Sequence, residues 1–302
     1  MPATSGNFGK LLWPGVRGFF GMSYKSYKPI YSQVFTVLKT KRAYEEEVGM
    51  TGLGYAQVKE EGDSIAYDTM KQGFVKRYIP VVYGLGYEIT REAVEDNLYD
   101  SVARDRSQAL AFSLRQTKEV VHANILNRAF TAAYAGADGK ELCATDHPNV
   151  NGGTWQNEPT TAADLSEASL EQACIDIGDY RSDRGMRIQV NPQKLVIPPA
   201  LEFEAGRILK SILQNDTANN AINVLRVTGK IPGGYVAWNY LTDANAWFVL
   251  TDCLKGLQSF QRRPMEFRRD NDFDTENAKF KATERYVPGW TDPRCIYGTP
   301  GP

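Results

Sequence analysis

Apolar and polar positions change their spacing several times along this chain, and each change marks an element. Between residues 55 and 89 the spacing is two: Ile65, Tyr67 and Thr69 alternate with polar residues, Lys71-Gln72-Gly73 reads as a turn, and Phe74, Lys76 and Tyr78 return. Charge on one side and apolar groups on the other fit a hairpin lying on a surface better than strands buried on both faces. From residue 87 to 135 there is neither Gly nor Pro, and Gly136 follows as a natural stop. Thr90 suits a helix cap, and Glu92 and Glu95 fall in the first turns, where the helix dipole favours acids. Val94, Leu98 and Val102 form an i, i+4 stripe that Phe112, Val121, Ile125 and Ala129 continue. Arg91/Glu95, Asp100/Arg104 and Arg115/Glu119 add supportive charge pairs at the same spacing.

As one helix over about 90–135, this segment would be about 65 Å long at ~1.5 Å per residue. A compact globule of this chain length is roughly 50 Å across. Either the helix breaks or the subunit is elongated, and the missing Gly and Pro favour elongation. Beyond it, residues 136–164 are loop-rich, and a helix starts near Asp164 or Ser166 and carries Leu170, Cys174 and Ile177. A strand at 194–197, a helix at 200–213, a polar stretch at 214–223 and strands near 224–228, 246–250 and 256–260 suggest an α/β lobe. The end returns to strands, 266–269 and 279–287, around an acidic turn.

Charge alters the reading of the first segment. Seven of the 35 basic residues precede Glu45, the first acidic residue, so a segment of +7 joins a remainder of −8. The bland reading is a solvated tail; the sharper one is an extended arm over residues 1–50 that lies on the acidic surface of a neighbouring copy. The aromatics of this segment, among them Trp13, Phe19, Phe20, Tyr24 and Tyr27, favour the second, because a free tail gains nothing from exposing them. No run approaches the ~18 apolar residues of a membrane span, and Leu11 to Val16, interrupted by Pro14, is too short for a secretory core. The four cysteines lie far apart with no C-x-x-C pair, which suggests reduced thiols in a protein made and used inside a cell.

Candidate chemistry is sparse. Two histidines limit acid–base work. His122, in mid-helix, reads most simply as a surface or interface residue. His147, four residues after Cys143, lacks the further ligands a metal site needs. The run Asp270 to Asp274 opens like a calcium loop, but Thr275 and Lys281 stand where Gly and Glu are required, so a polar turn is expected. Gly84-Leu85-Gly86 lacks a third glycine, Gly229-Lys230 leads into Ile231 rather than Ser or Thr, and there is no G-x-S-x-G elbow. The Arg262-Arg263 and Arg268-Arg269 doublets would touch nucleic acid or, more commonly on strands, pair with acidic neighbours. No catalytic, cofactor-binding or metal-binding residue is predicted.

In order of parts the chain resembles the HK97-like capsid fold of tailed-bacteriophage major capsid proteins, an α+β architecture. The residues that carry the likeness are Tyr87-Glu88-Ile89-Thr90-Arg91-Glu92-Ala93, Leu195-Val196-Ile197-Pro198-Pro199 and the tail from Phe267-Arg268-Arg269-Asp270 through Arg285-Tyr286 to Gly289-Trp290-Thr291-Asp292-Pro293. It is most similar to the Mu-like major head subunit group. The resemblance implies an N-arm (1–50), an E-loop hairpin (51–88), a P-domain (89–165 and 262–302, with a spine helix at about 90–135) and an A-domain (166–261). It implies a non-enzymatic protein of the virion that self-assembles, in the host cytoplasm, into pentamers and hexamers of an icosahedral shell around double-stranded DNA. Portal and scaffold proteins, possible decoration proteins and DNA held without sequence specificity would be the partners, with no membrane and no cofactor. An arm that begins almost at once implies a separate scaffold. Inter-subunit contacts are expected at Trp13, Arg17, Phe19, Phe20, Tyr24, Tyr27, Tyr67, Lys71, Phe74, Lys76, Arg77 and Tyr78, with the arm removable without unfolding the body. Some members cross-link the E-loop through a lysine; Lys59, Lys71 and Lys76 are available here, but no catalytic acid can be assigned. An encapsulin-type cellular compartment and, further off, an unrecognised soluble hydrolase are the alternatives.

Overall fold

A computed structural model of the chain describes residues 9–92, 99–213, 222–272 and 276–301, with side chains outside 9–16 and 99–103. Its longer helices are α1 (Gly9–Ser26), α2 (Tyr99–Asn127), α3 (Glu167–Gly178), α4 (Glu202–Lys210) and the short α5 (Val224–Thr228). The strands before α2 are β1 (Thr36–Lys39), β2 (Glu45–Met50), β3 (Gln72–Tyr78) and β4 (Val81–Ile89). After it come the minimal pair β5 (His147–Pro148) and β6 (Thr154–Trp155), then β7 (Pro192–Ile197), β8 (Tyr235–Ala237) and β9 (Trp247–Thr251). Two long strands, β10 (Leu257–Asn271) and β11 (Ala278–Trp290), precede the closing β12 (Ile296–Thr299).

The strands form two four-stranded sheets, ordered β1-β10-β11-β4 and β12-β9-β7-β8, beside the pairs β2–β3 and β5–β6. In the second sheet alternate residues serve two cores, as a pleat of period two requires. Leu195, Ile197, Trp247 and Val249 face α3 and α4 through Leu170, Ile177 and Ala205. Val196, Phe248, Leu250 and Ile296 face the end of α2 through Ala123 and Leu126, with Trp238 and Trp290 filling the gap. Burial on both faces explains why these strands read as nearly unbroken apolar runs. The sheet takes β12 from beyond residue 261, so the α/β lobe is closed by the chain terminus.

Several expectations change here. Residues 9–26 are helical, not extended, because Phe20 finds a core against Leu110, Ala111 and Leu114 of α2 and Ala282 of β11. The helix expected to 135 stops at Asn127, where the side chain turns to the lobe: Nδ2 donates to the Tyr240 carbonyl and Oδ1 accepts from Thr242 N–H. The chain then folds back so that Cys143 N–H donates to the Ala129 carbonyl, burying Ala129, Leu142 and Cys143. At 29 residues, α2 is about 43 Å long at ~1.5 Å per residue. The helix expected at 200–213 begins as a 3-10 turn at Pro199–Leu201 and ends with α4 at Lys210. Residues 224–228 are helical despite their β-branched content: Asn223 caps the helix through Arg226 N–H, and Gly229 closes it at φ 60°. The expectations on Val94, Glu95 and Leu98, on most of the 214–223 stretch and on the tip of the acidic turn lie outside the described residues, as do the side chains of Asp100 and Val102. Among the described residues no helix is long and apolar enough to cross a membrane.

Candidate assembly surfaces

The N-terminal segment is built into the body. Phe20 is 1% exposed and stacks on Phe267 at 4.6 Å, while Tyr24 stacks on Phe20 and lies under the Arg115 guanidinium at 4.1 Å. Tyr31, Val34 and Phe35 belong to the central core, and β1 pairs with β10. Removing residues 1–44 would therefore strip the core and the first sheet, so the arm is not a detachable appendage.

The joint between this segment, α2 and the lobe is polar and buried. Glu119 accepts hydrogen bonds from the Ile30 and Tyr31 backbone N–H groups at 2.8 and 3.1 Å and from Trp238 Nε1 at 2.9 Å. One carboxylate thus links arm, spine and lobe, a role its spacing from Arg115 did not reveal. Burial raises its pKa, and the three donors oppose that shift. The preceding residue, Lys118, forms an ion pair with Glu284 of β11 at 2.9 Å, with side chains 4% and 1% exposed. Lys118 also sits over the rings of Tyr286 and Tyr31, at 4.8 and 5.3 Å. His122 is buried within its own subunit, not a surface or interface residue as its helix position suggested. Nε2 meets Ser259 Oγ at 2.8 Å, and the ring stacks on Tyr286. Desolvation lowers its pKa to about 3.

His147 is equally structural. Its Nδ1 faces Asp138 at 2.7 Å and its Nε2 faces Asn157 at 3.1 Å, and the ring stacks on Trp155. Asn157 Nδ2 donates to the carbonyls of Leu142, Pro293 and Ile296, which pins the 142–157 loop to the chain end. Of the arginine doublets, Arg268 pairs with Glu266 at 2.9 Å, as strand arginines commonly do.

The hairpin contrasts with all this. Its arms are β2 and β3, not the strands expected around 65–69, and the ladder ends where Thr51 and Lys71 exchange bonds. Residues 52–70 form no ladder, and among the described residues the alternation of Ile65, Tyr67 and Thr69 pairs with no strand. Tyr67 and Val58 are each 95% exposed, and Tyr55, Ile65, Leu53 and Met70 are exposed as well. Such a run of apolar side chains on an open loop marks an interaction surface.

The expected contact residues divide accordingly. Tyr67, Lys71, Phe74 and Arg17 are exposed. Arg77 is held by Glu46 at 2.7 Å and lies over Tyr44. Phe19 is half-buried under Arg104, and Tyr27 leans on Phe112. Phe20 and Tyr78 are corrections: both are buried in their own subunit, Tyr78 with its hydroxyl on Thr291, so neither is available to a neighbour. Tyr24 and Lys76, the latter over the Trp290 ring at 4.8 Å, are also engaged internally. The side chain of Trp13 lies outside the described residues. On the lobe, Phe203, Val227 and Leu254 are 79%, 71% and 86% exposed, and nothing in the sequence pattern singled them out.

The chain's likeness to known proteins follows this architecture. It is similar to a solved structure of Mycobacterium phage Che8, with TM-score 0.53 and 12% identity, over 90% of each chain. The mature capsid of bacteriophage PhiM1 matches with TM-score 0.53 and 12% identity, over 90% of this chain and 86% of that one. A virus-like particle from Pyrococcus furiosus matches with TM-score 0.52 and 10% identity, over 94% and 97%. At such identities the likeness establishes the fold, which is HK97-like. No curated protein matches the sequence. The family described as phage capsid protein matches residues 75–298, well over half the chain, and favours the viral shell over the cellular compartment. The chain belongs to the phage capsid protein family, and its function is that of a major capsid subunit.

Proposed function

We propose that each subunit is held in an icosahedral shell around double-stranded DNA chiefly by a hairpin that lies across its neighbour. In this reading residues 1–50 are the N-arm and 51–88 the E-loop. Residues 89–165 and 262–302 form the P-domain, and 166–261 an A-domain that gathers around the axes of pentamers and hexamers. Residues 52–70 carry the proposal, because they expose apolar side chains that no described part of their own subunit covers.

A complementary seat exists on the first sheet. Its register places Arg263, Lys281 and Arg285 on the face opposite Ala282, Glu284 and Tyr286, which pack toward the helices. Arg263 bonds to Thr283 and Arg285 to the Pro80 carbonyl, so among the described residues neither charge meets a carboxylate. Gly84 and Gly86 keep this face low: a Cβ at Gly84 would come within 2.9 Å of Thr283, and one at Gly86 within 2.6 Å of the Phe280 carbonyl. The hairpin tip offers Glu60, Glu61 and Asp63 in return.

The role is mechanical rather than catalytic. Obligate interfaces bury roughly 2,000–5,000 Å², so modest gains per area accumulate over several neighbours. Scaffold, portal and decoration proteins are further partners, assembly takes place in the host cytoplasm, and DNA is enclosed without sequence-specific contact. Replacing residues 55–67 by a short Gly-Ser linker tests the reading. Folded subunits that form no closed shells by electron microscopy are expected; closed shells at wild-type yield would refute it.

A further inference from the structure

Past the Thr51–Lys71 closure, every hydrogen bond joining residues 52–70 to the rest of the subunit, among the described residues, ends on Arg184. The guanidinium grips both oxygens of Asp68, with Nη2 at 3.1 Å from Oδ1 and Nη1 on Oδ2, and Nη2 also donates to the Thr69 carbonyl. Asp68 is fixed from the loop side as well, accepting from Gly54 N–H at 2.8 Å and Thr69 N–H at 2.7 Å. Gly54 packs closely against the grip: a Cβ there would lie 3.2 Å from Asp68 Oδ2 and 3.3 Å from Arg184 Nη1, so the pair would have to shift by a few tenths of an ångström. A two-pronged arginine grip of this kind fixes direction as well as distance, which an ammonium would not.

The other end of the grip is rigid. Arg184 sits in a turn closed by Ser182 N–H to the Met186 carbonyl and Gly185 N–H to the Ser182 carbonyl, both at 2.8 Å. Arg294, near the chain end, braces that turn by donating to the Arg181 carbonyl at 2.9 Å and to Asp183 at 3.1 Å. Among the described residues, the hydrogen bonds that reference residues 52–70 to the lobe and the closing strands therefore run through one side chain.

We propose that Arg184 is the positioning residue of the hairpin: it sets the angle at which residues 52–70 leave the subunit, and with it the curvature of the sheet of subunits they join. The inference rests on the hairpin reaching a neighbour and adds what aims it. The test compares full-length wild type with Arg184→Ala, Arg184→Lys and Asp68→Asn, the last altering only the loop side of the grip. Limited proteolysis of unassembled subunits reads the loop, circular dichroism reads the body, and electron microscopy reads shell diameter. With an unchanged body spectrum, cleavage within 52–70 should rise on the order of tenfold in Arg184→Ala and Asp68→Asn. Both should give shells of mixed diameter or open sheets, with Arg184→Lys intermediate. Wild-type cleavage and uniform shells in Asp68→Asn would overturn the proposal, whatever the folding of Arg184→Ala. The linker-replaced chain separates the two ideas. If it forms no shells while Asp68→Asn behaves as wild type, aiming by Arg184 falls and the hairpin reading stands; if it forms normal shells, both fall.

Discussion

Residues 17–40 and residues 52–70 make an instructive pair, since both read in sequence as segments that reach out of the subunit. The first is aromatic-rich and basic, the second alternates apolar and polar residues, and each carries more apolar surface than a free tail should expose. In the structure the first finds cover at home: Phe20, Tyr31, Val34 and Phe35 are buried, and Glu119 ties its backbone to α2 and Trp238. The second finds none among the described residues, and Tyr67 and Val58 stand 95% exposed. Apolar content alone thus does not identify an assembly element. What distinguishes the two is whether the subunit itself supplies a partner surface.

The comparison is broken most forcefully through the buried segment. Phe20→Ala should destabilise the unassembled subunit by about 3–5 kcal/mol, as aromatic truncations in cores do, measured by denaturant unfolding. A loss under about 1 kcal/mol would mean that α1 is not docked as described. Lys118→Met should cost a similar 3–5 kcal/mol or so, because it strands Glu284 in a nearly dry site. Adding Glu284→Leu should recover most of that loss, since the pair's own net worth is small once desolvation is counted.

A smaller effect comes from His122. Its pKa is lowered to about 3 from an ordinary 6.5, so below pH 6.5 the unfolded chain takes up a proton that the folded chain does not. Its contribution is complete above pH 6.5 and falls as the pH drops toward 3, by at most about 1.4 kcal/mol per unit. Glu119 and Glu158 act in the opposite sense over part of this range, since burial raises both, Glu158 to about 7. The difference between wild type and His122→Gln, followed as Tm between pH 7 and 4, isolates the histidine. A constant difference would contradict its buried, neutral state. The smallest effect on stability belongs to the hairpin: Tyr67→Ser should change unfolding by no more than about 0.5 kcal/mol while sharply reducing shell yield. A large loss of stability with normal shells would reverse the roles assigned to the two segments.

The comparison also shows what was legible in the sequence. Elements whose signals are local came through: the helix expected to start near Asp164 or Ser166 is α3, with Ser166 as its cap, and the apolar runs at 194–197 and 246–250 are central strands. Elements decided by distant partners did not. Nothing near Asn127 announces a helix end, because the stop is made by Tyr240 and Thr242 from the lobe. Val224 to Thr228 carry strand propensity, but a cap at Asn223 and a left-handed Gly229 hold them in one helical turn. His122 read as a surface or interface residue and Glu119 as the charge-pair partner of Arg115; both face inward, toward segments about 90 residues before and more than 110 after them. Arg184 and Asp68 are 116 positions apart and belong to no motif, so only the folded chain brings them together.

The most direct test of the central claim is amide hydrogen exchange on the same protein before and after assembly. Residues 17–40 should exchange slowly in both states, whereas residues 52–70 should exchange rapidly in free subunits and become protected in the shell. Protection of residues 52–70 already in free subunits, or rapid exchange there in closed shells, would contradict the claim that the hairpin is the segment completed by a neighbour.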